Sequence, residues 1–264
     1  MGLRISIVSY LNAAPLGWYF LHGPAKHDFQ IVPDLPAKCA ERLAAGEVDV
    51  GLIPCIEYQR IPHLRVIPDI AIAATHEVRS VLLVQRFNSG AIKTVALDTS
   101  SRTSVALTKL LLQSRMGLRP EYLAHKPDVS EMLRKCDAAL IIGDAALHCN
   151  SDEYQCMDLA AAWREWQARP FVFAFWACRD KAAETKELAE IFLTAKEWGM
   201  ARIEEIAAYY SSTLKLPVEF LIRYLRYNLD HNLVPAHKEG LERFYQLAFE
   251  AGLIEECKPV NYLI

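Results

Sequence analysis

The segment from Thr94 to Leu112 constrains the fold more than any other. Thr94, Val95, Ala96 and Leu97 form a short apolar run, and Asp98 to Ser104 follow as a polar turn. Val105, Leu107, Leu110, Leu111 and Leu112 then recur at helical spacing. A strand that empties through a turn into a helix belongs to a layered α/β architecture. The first N–H groups of such a helix lack intrahelical partners, and its dipole places partial positive charge there. Ser100, Ser101, Thr103 and Ser104 add donors and Arg102 a full charge, more than the single hydroxyl that capping requires. The turn is therefore a candidate seat for a carboxylate or a phosphate.

The flanking chain repeats this rhythm. Leu3 to Val8 reads as a strand covered on both faces and delivers Ser9, Tyr10 and Asn12 to its carboxyl end, where open α/β sheets bind ligands. Pro15 opens a helix. Phe29 to Val32 and Val48 to Ile53 are further strands, separated by an amphipathic helix over Pro36 to Ala45 that Gly46 closes. Short connections favour parallel layering. Leu64 to Ala74, apolar and broken by Pro68, reads as a strand turning at the edge of a lobe. Val78 to Val84 is a strand carrying Arg79 and Ser80, whose side chains face opposite ways; a buried Arg or Ser there needs a partner, so both are candidate site residues. A short strand at Tyr122, a helix near Val129 to Arg134 and a strand over Ala138 to Ile142 follow. Gly143 then permits close approach to the backbone, and Asp144 is placed to cap the next helix. Trp163 and Trp166, three apart on a helix, read as core. Pro170 to Ala177 is a central strand, and helices fill Lys181 to Met200, Ile203 to Tyr210, Pro217 to Tyr227 and Lys238 to Ala251. The expectation is two α/β lobes with a helical finish. Residues 1–80 and 176–264 form the first lobe, residues 81–175 the second, and the ligand cleft lies between them.

At 264 residues the chain can bury a full core, and 52% hydrophobic against 23% charged residues is a globular balance. The net charge of −3, with both signs mixed along the length, argues against nucleic acid and an anionic membrane surface as partners and leaves a small-molecule substrate. No apolar run approaches a bilayer span, and the amino terminus opens directly on a strand without a charged leader, so a cytoplasmic location is expected. The seven cysteines lack the pairwise spacing of zinc or redox sites and read as reduced thiols, mostly buried. The histidines are scattered, and His148 beside Cys149 does not make a metal site. No nucleophile elbow, phosphate loop or dinucleotide fingerprint appears, so cofactor-free chemistry or simple binding remains. Nothing sets an oligomeric state.

Ser9 to Leu16, Gly46 to Pro54 with Glu57 and Tyr58, Val78 to Val81, Ala96 to Leu107, Ala138 to Leu147 and Pro170 to Trp176 together resemble a known family, in the same order. These motifs cover about two thirds of the chain. The family is the chorismate dehydratases of the futalosine route to menaquinone. The resemblance implies the two-lobed fold of type 2 periplasmic solute-binding proteins, here as an intracellular hydro-lyase. It also implies loss of water from chorismate to give 3-[(1-carboxyvinyl)oxy]benzoate. Asn12 and Ser80 match the family's polar active-site positions, and Ser100 to Ser104 its carboxylate-binding helix terminus. Ser9, Tyr10, Arg79, Arg102, Gly143 and Asp144 complete the expected substrate contacts.

The implied chemistry suits these residues. A doubly anionic ring needs two anion-holding features, and an elimination driven by aromatisation needs donors more than a strong base. No general base stands out, which leaves the substrate's enolpyruvyl carboxylate to remove the proton. The chain departs from the family pattern at Gln167 and Ala168, where a Thr-Gly pair is usual, and at Thr75 to Glu77 and Cys55. The competing reading is a non-catalytic binding protein for a small carboxylate.

Overall fold

The computed structural model describes residues 2–24, 26–184 and 187–263. The chain begins with β1 (Leu3–Val8), a single 3₁₀ turn (Leu11–Ala13), α1 (Ala14–His22), β2 (Phe29–Asp34), α2 (Pro36–Ala45), β3 (Val50–Pro54), α3 (Cys55–Arg60) and β4 (Leu64–Ala74). A second block holds β5 (Val81–Arg86), β6 (Thr94–Asp98), α4 (Arg102–Leu110), β7 (Glu121–His125), α5 (Val129–Lys135), β8 (Ala138–Ile142), α6 (Gly143–Leu147), β9 (Tyr154–Asp158) and α7 (Leu159–Gln167). The chain then returns through β10 (Phe171–Arg179) to α8 (Asp180–Ala183), α9 (Leu188–Met200), α10 (Ile203–Leu214), α11 (Val218–Arg223) and α12 (Pro235–Glu250). The helix expected over Lys181 to Met200 is thus two helices, and Thr185 and Lys186 within it lie outside the described residues.

Two five-stranded sheets result, ordered β2-β1-β3-β10-β4 and β7-β6-β8-β5-β9. Both are mixed, which corrects the expected parallel layering. β1 runs parallel to β2 and β3, but β10 is antiparallel to β3 and β4. Likewise β6 is parallel to β7 and β8, and β5 antiparallel to β8 and β9. The two reversed strands are the ones that enter a sheet directly from the other sheet. They start where their neighbours finish, as the pairings Phe171 with Ala74 and Val81 with Ile142 record. The carboxyl ends of β1, β3, β4, β6 and β8 therefore converge on the crossovers. β10 pairs into the first sheet from Phe171 onward, so the return precedes the expected residue 176.

Strand β5 also starts later than expected. Val78 to Ser80 form the bend leading into it, with Arg79 left-handed at φ 59°. The Asp158 carboxylate accepts the Val78 and Arg79 N–H groups at 3.2 and 2.7 Å and caps α7 through Ala160 and Ala161. With its N–H groups committed to a side chain, the bend cannot extend the ladder.

The carboxy-terminal helices brace the first sheet. α9 packs on α1, where the Phe192 ring lies 5.0 Å from Phe20 and 4.8 Å from Trp176. α12 packs on β10, with Phe244 5.0 Å from Phe171, and the Tyr245 hydroxyl donates to the Cys55 carbonyl at 2.6 Å. Trp163 is fully buried, as its spacing predicts. Among the described residues no helix is long and apolar enough to cross a membrane.

Candidate active site

Where the strand ends converge, a cavity of about 40 Å³ separates the two sheets. Tyr10, Asn12, Ser101, Ser104 and Gly143 supply its polar lining. Val8, Ile72, Val78, Val81, Ile142 and Phe173 are prominent on its apolar side. The pattern is that of an organic-ligand site, an apolar wall with a few convergent polar groups.

The polar pole is the amino terminus of α4. Ser101 is its N-cap, accepting from the Ser104 N–H at 3.4 Å, and the two hydroxyl oxygens lie 3.0 Å apart. Opposite stands Asn12, whose buried Oδ1 makes no hydrogen bond among the described residues. Its backbone carbonyl accepts from His231 Nε2 at 2.9 Å. Burial lowers the His231 pKa, so the ring is neutral and its proton resides on Nε2, since a carbonyl can only accept.

The seam between the sheets is drawn tight around this cavity. Tyr10 Oη lies 3.1 Å from Ser100 Oγ, and the Ala37 N–H donates to the Ser100 carbonyl at 2.9 Å. The Tyr10 ring rests on Gly143, where φ is 61° and a Cβ would come within 2.7 Å of the ring. Asp144 Oδ1 accepts the Leu11 N–H at 2.9 Å, so it caps the 3₁₀ turn of the opposite sheet rather than its own helix. Desolvation pushes the Asp144 pKa up to about 6. Thr103 is turned away from the cavity, accepting the Ile56 N–H at 3.2 Å and lying 3.6 Å from Cys55 Sγ.

Several expected contacts fall elsewhere. Arg102 leaves the cavity for Glu57 and Glu41, at 2.6 and 2.8 Å, because two carboxylates on the facing helices α3 and α2 offer it a better environment. Arg79 is exposed, its guanidinium 5.5 Å from the Phe220 ring centre. Ser9 is exposed beyond the end of β1. Ser80 is fully buried between the lining residues Val78 and Val81; its Oγ makes no hydrogen bond among the described residues, and the Tyr224 phenol is its polar neighbour. Sequence reasoning missed Asp158 and His231. A lone Asp after a polar strand and a His after an Asp carry no local signal of partners that lie 80 and 219 residues away.

Residues 3–250 match the family model described as menaquinone biosynthesis. The chain belongs to that family. Among its curated relatives, a chorismate dehydratase of Thermus thermophilus is 30% identical, covering 91% of this chain and 93% of its own. A chorismate dehydratase of Campylobacter jejuni is 27% identical over 96% and 97% of the two chains. Solved structures carry the same fold. An Archaeoglobus fulgidus protein superposes with a TM-score of 0.77 at 18% identity, covering 96% of this chain and 98% of its own. The periplasmic aliphatic sulphonate-binding protein of Escherichia coli does so at 0.67 and 17% identity, over 97% and 94%. The menaquinone biosynthesis family member described here therefore has the two-lobed periplasmic-binding-protein-like fold that its motifs imply.

Proposed function

We propose that this protein is a cofactor-independent cytoplasmic hydro-lyase that removes water from chorismate to give 3-[(1-carboxyvinyl)oxy]benzoate. The observation that carries this reading is the cavity itself, lined by Ser101 and Ser104 at the start of α4, by Asn12 with its unpartnered Oδ1, and by an apolar wall. The likeness to two chorismate dehydratases supplies the substrate.

One substrate carboxylate sits at the amino terminus of α4, where Ser101 and Ser104 and the helix dipole replace its hydration. The ring lies against Ile72 and Phe173. Asn12 meets the departing hydroxyl. A proton leaves the ring carbon bearing the enolpyruvyl ether, the neighbouring C–O bond breaks, and hydroxide leaves with a proton as water while the ring becomes aromatic. The enolpyruvyl carboxylate of the substrate takes the proton, so the chain contributes placement and electrostatics rather than a base. Ser80 supports this wall of the cavity from behind.

A slot of about 40 Å³ is far smaller than the several hundred Å³ usual for such sites. Chorismate enters, on this reading, when the lobe of residues 81–170 swings away from the lobe formed by the remaining chain. The test is to incubate pure protein with chorismate and follow loss of the diene absorbance and formation of a product lighter by one water. The likeness to sulphonate-binding proteins favours a second reading, carboxylate binding without chemistry. Stoichiometric binding with no turnover would establish it.

A further inference from the structure

The backbone on either side of the Asn12 side chain is gripped from two directions. His231 donates to the Asn12 carbonyl, and Asp144 accepts from the Leu11 N–H, both at 2.9 Å. The turn Leu11–Ala13 cannot satisfy its first amide internally, and its own N-cap, Tyr10, offers no side-chain acceptor. The acceptor arrives instead from the first turn of α6, which follows β8 of the other sheet. Asp144 does not line the cavity, so it reaches the substrate only through this turn. The side chain is held in a poorly solvated setting where Tyr10, Tyr210 and Tyr224 feel its charge. A carboxylate kept at such a site needs a compensating contact, and the Leu11 amide is the one it has.

Resting on the proposed reading, in which Asn12 acts on the bound substrate, we propose that Asp144 is a positioning residue that couples lobe closure to the aim of Asn12. Closing the lobes seats the Asp144 carboxyl on the Leu11 N–H, fixes the Leu11–Ala13 turn, and so presents the Asn12 carboxamide to the cavity only when water has been excluded. Opening the lobes releases the turn. At this turn the two arrangements differ by one hydrogen bond between elements that are distant in sequence, broken together with the rest of the seam, which is the form a switch between bound and unbound geometries takes.

Asp144→Ala and Asp144→Asn in the full-length protein test this. Without chorismate, hydrogen exchange at the Leu11 amide accelerates by about tenfold or more in Asp144→Ala and stays near the parent rate in Asp144→Asn, whose amide oxygen still accepts. With chorismate, Asp144→Ala loses about tenfold to a hundredfold in kcat with KM changed by less than about threefold, and Asp144→Asn recovers most of that loss. Unchanged Leu11 exchange in Asp144→Ala overturns the proposal. So does a kcat in Asp144→Asn as low as in the alanine variant while Leu11 stays protected, since the carboxylate would then act in the chemistry itself. If the parent protein does not turn over chorismate, the functional reading fails, and the exchange measurement alone still decides the coupling. Asp144→Asn keeps the test available should the alanine variant fold poorly.

Discussion

Arg102 Nη1 lies 2.6 Å from Glu57 Oε2, joining the first turn of α4 to a carboxylate that is almost wholly buried in the facing lobe. Arg60 takes the other Glu57 oxygen at 2.6 Å, and the second Arg102 nitrogen reaches Glu41 at 2.8 Å. The arginine that sequence alone assigns to an anion is thus spent on clamping the helix whose first turn, through Ser101 and Ser104, lines the pocket.

Removing that clamp strands half of the charge pairing of Glu57. Arg102→Met should destabilise the protein by about 2 kcal/mol, less than the loss of a fully buried pair because Arg102 is partly exposed and Arg60 remains. The midpoint of urea unfolding at constant slope measures it.

The catalytic reading distinguishes Asn12 from Ser104. Asn12→Ala should lower kcat by about a hundredfold, the scale of one lost transition-state contact. Ser104→Ala should instead raise KM by about tenfold, as expected for a donor that holds a carboxylate equally in both states. Steady-state kinetics with chorismate separate the two, and equal effects on kcat would remove the assigned roles.

Ala168 occupies the left-handed C-cap of α7 with φ 54° and ψ 29°, a conformation that glycine adopts without steric cost. Ala168→Gly should stabilise the protein by about 1 kcal/mol without altering turnover. A thermal midpoint no higher than that of the parent would contradict this.

Asp144 gives stability a dependence on pH. Its carboxyl titrates at about 6 in the folded protein against 3.8 in the unfolded chain, so the folded state binds the proton more tightly. Its stabilising contribution is complete below pH 3.8 and is lost as pH rises through about 6. Asp144→Asn, which cannot ionise, should therefore melt higher than the parent at pH 7.5, and the difference should close by pH 4. Two pH units of displacement set an upper bound of about 3 kcal/mol.

How much of this was legible in the sequence follows from where each signal resides. The Ser101 cap, the buried β10 and the close approach to Gly143 are local consequences of hydroxyls, an apolar run and a missing Cβ. Strand direction is not local, since a fully covered antiparallel strand such as Phe171–Arg179 is as apolar as a parallel one. β9, with the sequence Tyr-Gln-Cys-Met-Asp, gave no strand pattern because it is an edge strand with no fully buried residue. The aim of Arg102, Arg79 and Asp144 depended on carboxylates, rings and amides delivered by remote elements. Those contacts exist only after the lobes have met.

The contact between the Tyr10 ring and the bare Gly143 backbone also offers an experimental handle. A single methyl at position 143 would act as a doorstop, holding the jaws ajar by the thickness of one carbon. A crystal structure of such a propped variant would show whether the molecule adopts the wider form that chorismate entry requires on the proposed reading.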